Sequence, residues 1–197
     1  MERTLDRTFD VGSNGRGPNG RLHHPIPPRR KLESAVLGML LLLMAEAMLF
    51  AGMLGACLMM RGVGPWPPPD LPRLPWVVTA ANTLALICSA FVLASGMQGP
   101  RRGRVLLAGF LGLFFCCVQA TEWARMLHWR GVHGAYGGLF YTVIGTHALH
   151  VLGGVLALLW AAVKIGQPRD ALRLKVCGMY WYFVVAVWPF IYAMVYH

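Results

Sequence analysis

Charged side chains are scarce in this sequence: Asp, Glu, Lys and Arg make up 13% of 197 residues, about half the share found in a soluble domain of average composition. A soluble globular protein is thereby excluded. Acidic residues are the scarcer sign, 8 against 18 Lys and Arg, for a formal charge of +10. A nucleic-acid binder gathers its cations on one face of a folded domain. Here they sit in the gaps between apolar blocks, so no nucleic-acid partner is expected. The five cysteines (Cys57, Cys88, Cys116, Cys117 and Cys177) are odd in number, contain no C-x-x-C pair and lie in or beside apolar stretches. That pattern supports neither a disulfide framework nor a zinc site. No short apolar run followed by a small-residue cleavage site opens the chain, so no cleavable signal peptide is expected and the first membrane helix acts as its own insertion signal. Internal repeats and heptads are also missing.

What is abundant is apolar length. Hydrophobic residues reach 56% and fall in five blocks, roughly 34–60, 76–97, 105–127, 135–163 and 174–196. Each has the roughly 20 residues needed to cross a hydrocarbon core. Backbone polar groups in lipid must be satisfied within the segment, so the expected fold is all-α: a polytopic membrane protein with a bundle of five transmembrane helices. Breakers separate the blocks at Gly64 to Pro69, Gly99-Pro100, Arg130-Gly131 and Gly166 to Pro168. Residues 1–33 form a polar arm rich in Gly, Pro and Arg, with too little apolar surface to fold alone. The expectation there is a disordered or extended segment ahead of a membrane domain over 34–197. Fourteen Lys and Arg fall in the arm and on the same side of the membrane, against four (Arg61, Arg73, Arg125, Arg130) on the other. The N terminus is therefore expected in the cytoplasm. Trp66, Trp76, Trp123, Trp129 and Trp188 then gather toward the outer interface as an aromatic belt.

An ionisable group inside a bilayer costs about 3 kcal/mol or more, so each needs a partner or a purpose. Glu46 lies about twelve residues into the first helix, near mid-membrane at about 1.5 Å rise per residue. His147 lies at a similar distance into the oppositely running fourth helix, and His150, at i+3, shares its face. Thr79, Asn82 and Ser89 stripe the second helix. Gln119 and Glu122 stripe the third, with Arg125 at i+3 from Glu122 as a neutraliser. For Asn82, Ser89 and Gln119 the favoured reading is interhelical glue, at about 0.6 kcal/mol per hydrogen bond. For Glu46 and the two histidines a site and a structural pair stay equally open. His147 and His150 share one face and cannot both clamp a haem iron, while His128, His133 and His197 fall at the outer surface. A Glu46/His147/His150 triad has the ligand types of a 2-His-1-carboxylate metal site, although a hydrogen-bonded acid–imidazole pair is simpler. No base-flanked nucleophile or phosphate-cradling Gly-rich loop occurs.

Several stretches resemble a known family. Met44 to Ala51 (M-A-E-A-M-L-F-A) resembles the S-E-x-M-F-F segment of subunit III of haem–copper terminal oxidases. Asn82-Thr83, with Ser89 following, is similar to its N-T-x-x-L-x-x-S segment, and Gln119 to Trp123 to its Q-x-x-E-[YW] motif. Tyr136 to Tyr141, then Gly145 to Val151 and Gly153, are similar to Y-G-S-x-F-[FY] and G-x-H-x-x-H-V-x-x-G, the family's most distinctive signature. Tyr180 to Val184, with Trp181, Trp188 and Tyr196, resembles W-Y-W-H-F-V-D-x-V-W…Y, with Tyr182 and Val185 standing where the family commonly has His and Asp, and Pro189 following Trp188. The motifs come in order, one per expected helix.

The resemblance implies the shorter, five-helix form of subunit III, in the cytoplasmic membrane of a bacterium. It implies an accessory, non-catalytic subunit with no cofactor of its own. Haem and copper belong to partner subunits I and II, with subunit I the main contact. The subunit holds structural phospholipid and supports proton uptake and catalytic durability, and the complex can join a larger respiratory supercomplex. Glu46, Asn82, Gln119, Glu122, His147, His150, Trp181 and Trp188 are the structural polar and lipid-contact candidates, with no catalytic or metal-binding residue expected. Alternatives are a quinol oxidase subunit III, the companion subunit of nitric oxide reductase, and, more distantly, a membrane metalloenzyme using the Glu46/His147/His150 triad. A transporter should have broken helices or inverted repeats, and neither is present.

Overall fold

The structure, a computed structural model, describes residues 28–64, 76–96, 101–127 and 135–196. The arm over 1–27, Trp66, Trp129, His128, His133 and His197 lie outside the described residues. Five helices follow one another: α1 Pro28–Val63, α2 Trp76–Gly96, α3 Arg101–Leu127, α4 Ala135–Val163 and α5 Asp170–Tyr196. Every one holds a stretch long and apolar enough to cross a membrane. No strand occurs among the described residues. The fold is therefore an all-α, membrane-spanning bundle.

Three helices begin before their apolar blocks. α1 starts at Pro28, α3 at Arg101 and α5 at Asp170. The reason is local chemistry: proline suits the first turn, where its missing N–H is not needed, and Asp170 accepts the N–H of Ala171 at the start of α5. A second carboxylate oxygen of Asp170 accepts the N–H of Gly166 at 3.1 Å, closing the short turn between α4 and α5. Gly166 has φ +89°, the left-handed conformation that ends a helix and that glycine adopts without Cβ strain. At the neighbouring turn, Arg104 donates to the Ser95 carbonyl at 2.6 Å, satisfying one of the carbonyls left open at the end of α2.

Helices α2, α3, α4 and α5 close a four-helix ring, α2 on α3, α3 on α4, α4 on α5 and α5 back on α2. α1 stands outside it, against α5 and, less extensively, α4. The ring's core is aromatic and branched: Trp181, Trp188, Phe115, Phe140, Leu86, Leu93, Ile144, Leu158 and Ile191 are fully buried. Among the described side chains of α1, Phe50 and Cys57 are the buried hydrophobics, and Leu37, Leu41, Met44, Met48 and Met59 face outward. α5 carries Pro189 in its interior and continues to Tyr196, a break in hydrogen bonding that neighbouring helices make tolerable in a membrane protein.

Candidate functional site

Trp181 shows how the ring is assembled. Its indole slides between α3 and α4 where each has a glycine: a Cβ on Gly112 would strike the indole, and one on Gly154 would lie 2.8 Å from it. The absence of side chains there is what lets the helices close on the ring. The indole N–H then donates across the bundle to Ser89 Oγ of α2 at 3.1 Å, while Ser89 Oγ donates to the Leu86 carbonyl. Trp188, two turns along α5, repeats the arrangement. Its N–H donates to Thr83 Oγ1 at 2.8 Å, and Thr83 donates to the Thr79 carbonyl at 2.8 Å. A buried indole needs an acceptor, and Ser89 and Thr83 of α2 supply one each.

Asn82 and Gln119 join α2 to α3. Asn82 Nδ2 donates to the Phe115 carbonyl at 3.0 Å and reaches Gln119 Oε1 at 3.5 Å. Its own Oδ1 has no hydrogen-bond partner. Asn82 also lines a groove of about 370 Å³ on the α2–α3 surface with Val77, Val78, Ala81, Phe114 and Val118. One turn beyond Gln119, buried Glu122 meets Arg125 at 3.3 Å, with the arginine side chain largely exposed.

Glu46, His147 and His150 separate into two environments. Glu46 Oε2 of α1 lies 2.8 Å from His150 Nε2 of α4, both side chains being mostly but not fully enclosed. His150 Nδ1 is 2.7 Å from the carbonyl oxygen of Thr146. Tyr180 of α5 donates its hydroxyl to the His150 carbonyl at 3.4 Å and stacks on the imidazole at 6.5 Å. His147, one turn away, is fully buried. Its ring stacks on Trp188 at 5.0 Å between centroids and meets the rings of Phe115 and Phe50 edge-on. Neither of its nitrogens has a hydrogen-bond partner. Phe50 also meets His150 edge-on at 5.2 Å, so one phenyl ring contacts both histidines. Of the two imidazoles the sequence offers to Glu46, the structure uses His150.

No group of three or more His, Cys, Asp or Glu side chains suited to a metal occurs among the described residues, because His147 faces aromatic rings instead of the Glu46–His150 pair. All five cysteines are free thiols, Cys57 and Cys177 among them buried. The arrangement can hold a proton between an acid and an imidazole, and it can lock helices together. Ser89 bonds from α2 to α5 as an interhelical tie, the role read for it from the sequence, whereas the glycine notches for Trp181, the acceptor role of Thr83 and the Phe50 contact to both histidines go beyond that reading. The N–H of Trp188, which needs an acceptor once buried, was the available clue to Thr83.

Comparison with known proteins agrees with the motifs. The sequence profile of the family described as cytochrome c oxidase subunit III matches residues 29–197. A protein of Mycobacterium bovis named probable cytochrome c oxidase subunit 3 is 31% identical, with 96% of this chain and 98% of the relative covered. A cytochrome c oxidase subunit 3 from Synechocystis is 30% identical over 98% of this chain and 86% of its own length. The subunit of the same name from Latimeria chalumnae is 30% identical over 88% and 72% respectively.

Proposed function

Because the chain belongs to the cytochrome c oxidase subunit III family, we propose that it is the accessory, non-catalytic member of a haem–copper terminal oxidase in a bacterial inner membrane. In this reading it packs mainly on subunit I, beside subunit II, with its N terminus in the cytoplasm. Haem and copper reside in those partners. The chain holds structural phospholipid and keeps proton uptake rapid and the catalytic centre durable.

The observation that carries the reading is the use made of the intramembrane polar groups. Glu46 is joined to His150, Trp181 to Ser89, Trp188 to Thr83 and Asn82 to Gln119, and each link ties one helix to another. Such cross-helix bonds are individually modest, averaging about 0.6 kcal/mol, but together they make a stiff layer. A stiff layer packed on a catalytic subunit restricts that subunit's loosening during turnover. Basic residues beside the membrane, Lys164, Arg169 and Lys175 among them, meet anionic headgroups at about 1 kcal/mol each.

The test is to tag the chain, extract it gently from native membranes, and record the reduced-minus-oxidised optical spectrum with mass spectrometry of what accompanies it. Haem, copper and a large polytopic catalytic partner are expected together, and the spectrum names the haem types. A partner of the nitric oxide reductase kind, or a colourless chain arriving alone with stoichiometric metal, would overturn the reading.

A further inference from the structure

The hydrogen bonds around His150 fix how many protons its pair with Glu46 holds. Nδ1 lies 2.7 Å from the Thr146 carbonyl oxygen, and a backbone carbonyl only accepts. Nδ1 therefore carries a proton and donates it one turn back along α4. That leaves Nε2, 2.8 Å from Glu46 Oε2. A bare nitrogen lone pair facing a bare carboxylate oxygen at that distance is repulsive, so a proton lies between them. It either sits on Glu46 and is donated to Nε2, or sits on Nε2 and is donated to the carboxylate. Both forms contain one proton on the Nε2–Oε2 line, and both sum to zero charge.

We propose that Glu46 and His150 form a one-proton binding site that spans α1 and α4, with the imidazole oriented by the Thr146 carbonyl. Losing the proton would leave a net negative charge in a membrane-spanning bundle, and gaining a second would leave a positive one. Rings from three helices lie around the pair. From α5, Tyr180 stacks on His150 and donates its hydroxyl to the backbone rather than to the carboxylate. From α4, the other imidazole, His147, is engaged by aromatic rings. From α1, Phe50 covers the ring edge-on. The assignment rests on this geometry and not on which complex the chain joins.

The experiment uses the full chain in lipid nanodiscs, with 15N-histidine and 13C-carboxyl-labelled glutamate, read by nitrogen NMR and infrared spectroscopy at neutral pH. Glu46→Gln identifies the Glu46 band and the shifted His150 signals. The expected result is a protonated Nδ1 together with one of two combinations: a carboxylic acid with bare Nε2, or a carboxylate with protonated Nε2. In Glu46→Gln the amide N–H replaces the acid as donor, so the ring should be neutral with Nδ1 still protonated. A carboxylate beside a singly protonated ring, a carboxylic acid beside an imidazolium, an unprotonated Nδ1, or an imidazolium in Glu46→Gln would each overturn the proposal.

Discussion

Trp181 is the residue on which the tightest packing in the bundle depends, and its surroundings make sharp predictions. A methyl group at Gly154 would lie 2.8 Å from the indole, and one at Gly112 would collide with it. Neither tryptophan nor backbone has room to yield, because Trp181 is fully buried. Gly154→Ala and Gly112→Ala should each lower stability by about 1–3 kcal/mol, the usual cost of overpacking. A thermal unfolding series in detergent checks this, with Gly109→Ala as control, since a Cβ there meets nothing within 4 Å. Equal effects at all three positions would remove the argument. Ser89→Ala tests the other side of the same residue. It leaves the Trp181 N–H without its acceptor in a dry interior, a loss of about 1–3 kcal/mol in the same assay, whereas Ser95→Ala, whose hydroxyl bonds only its own helix at an exposed position, should change little.

At the scale of elements, α1 is the weakly held helix, and the Glu46–His150 pair is a polar tie from it to α4. Removing one partner strands the other inside the membrane, at about 3 kcal/mol or more for an ionisable group. Removing both leaves nothing stranded. Glu46→Leu and His150→Phe should therefore each destabilise the chain more than the double variant does, as measured by thermal unfolding of the four proteins in a double-mutant cycle. Additive losses would mean that the two side chains do not act as a pair. The helices themselves were legible in the sequence, since five blocks of membrane-spanning length leave the backbone no other way to satisfy its polar groups. Their starts were less so: Pro28 and Asp170 extend α1 and α5 through chemistry that apolar content does not register. The choice between His147 and His150 was not legible either. The two share a helix face by spacing, and only the rotation of α4 against α1 and α5 decides which meets the acid and which meets Trp188. The same holds for Gly112 and Gly154. Each is one glycine among 23 until the path of α5 places an indole between them.

For the whole molecule, the ring of α2 to α5 with α1 outside it leaves large apolar residues such as Leu37, Met44, Met48, Phe91 and Phe110 exposed, a surface that only lipid or other apolar protein can cover. How that body sits across the membrane is a prediction from charge. By the positive-inside rule, the side expected to carry fourteen of the 18 Lys and Arg, with the N terminus, the α2–α3 turn and the α4–α5 turn, should face the cytoplasm. Gln167 in the α4–α5 turn and Gly64 just after α1 are both exposed and lie at opposite ends of the bundle. A single cysteine at each, in a background with the five native cysteines replaced, makes the orientation measurable. In intact cells a membrane-impermeant thiol reagent should label the cysteine at 64 and spare the one at 167, and both should react once the membrane is opened. Labelling of 167 in intact cells would reverse the topology. It would also place Lys164, Arg173 and Lys175, which flank that turn, on the outer face, away from the anionic cytoplasmic leaflet that gives their charge its value.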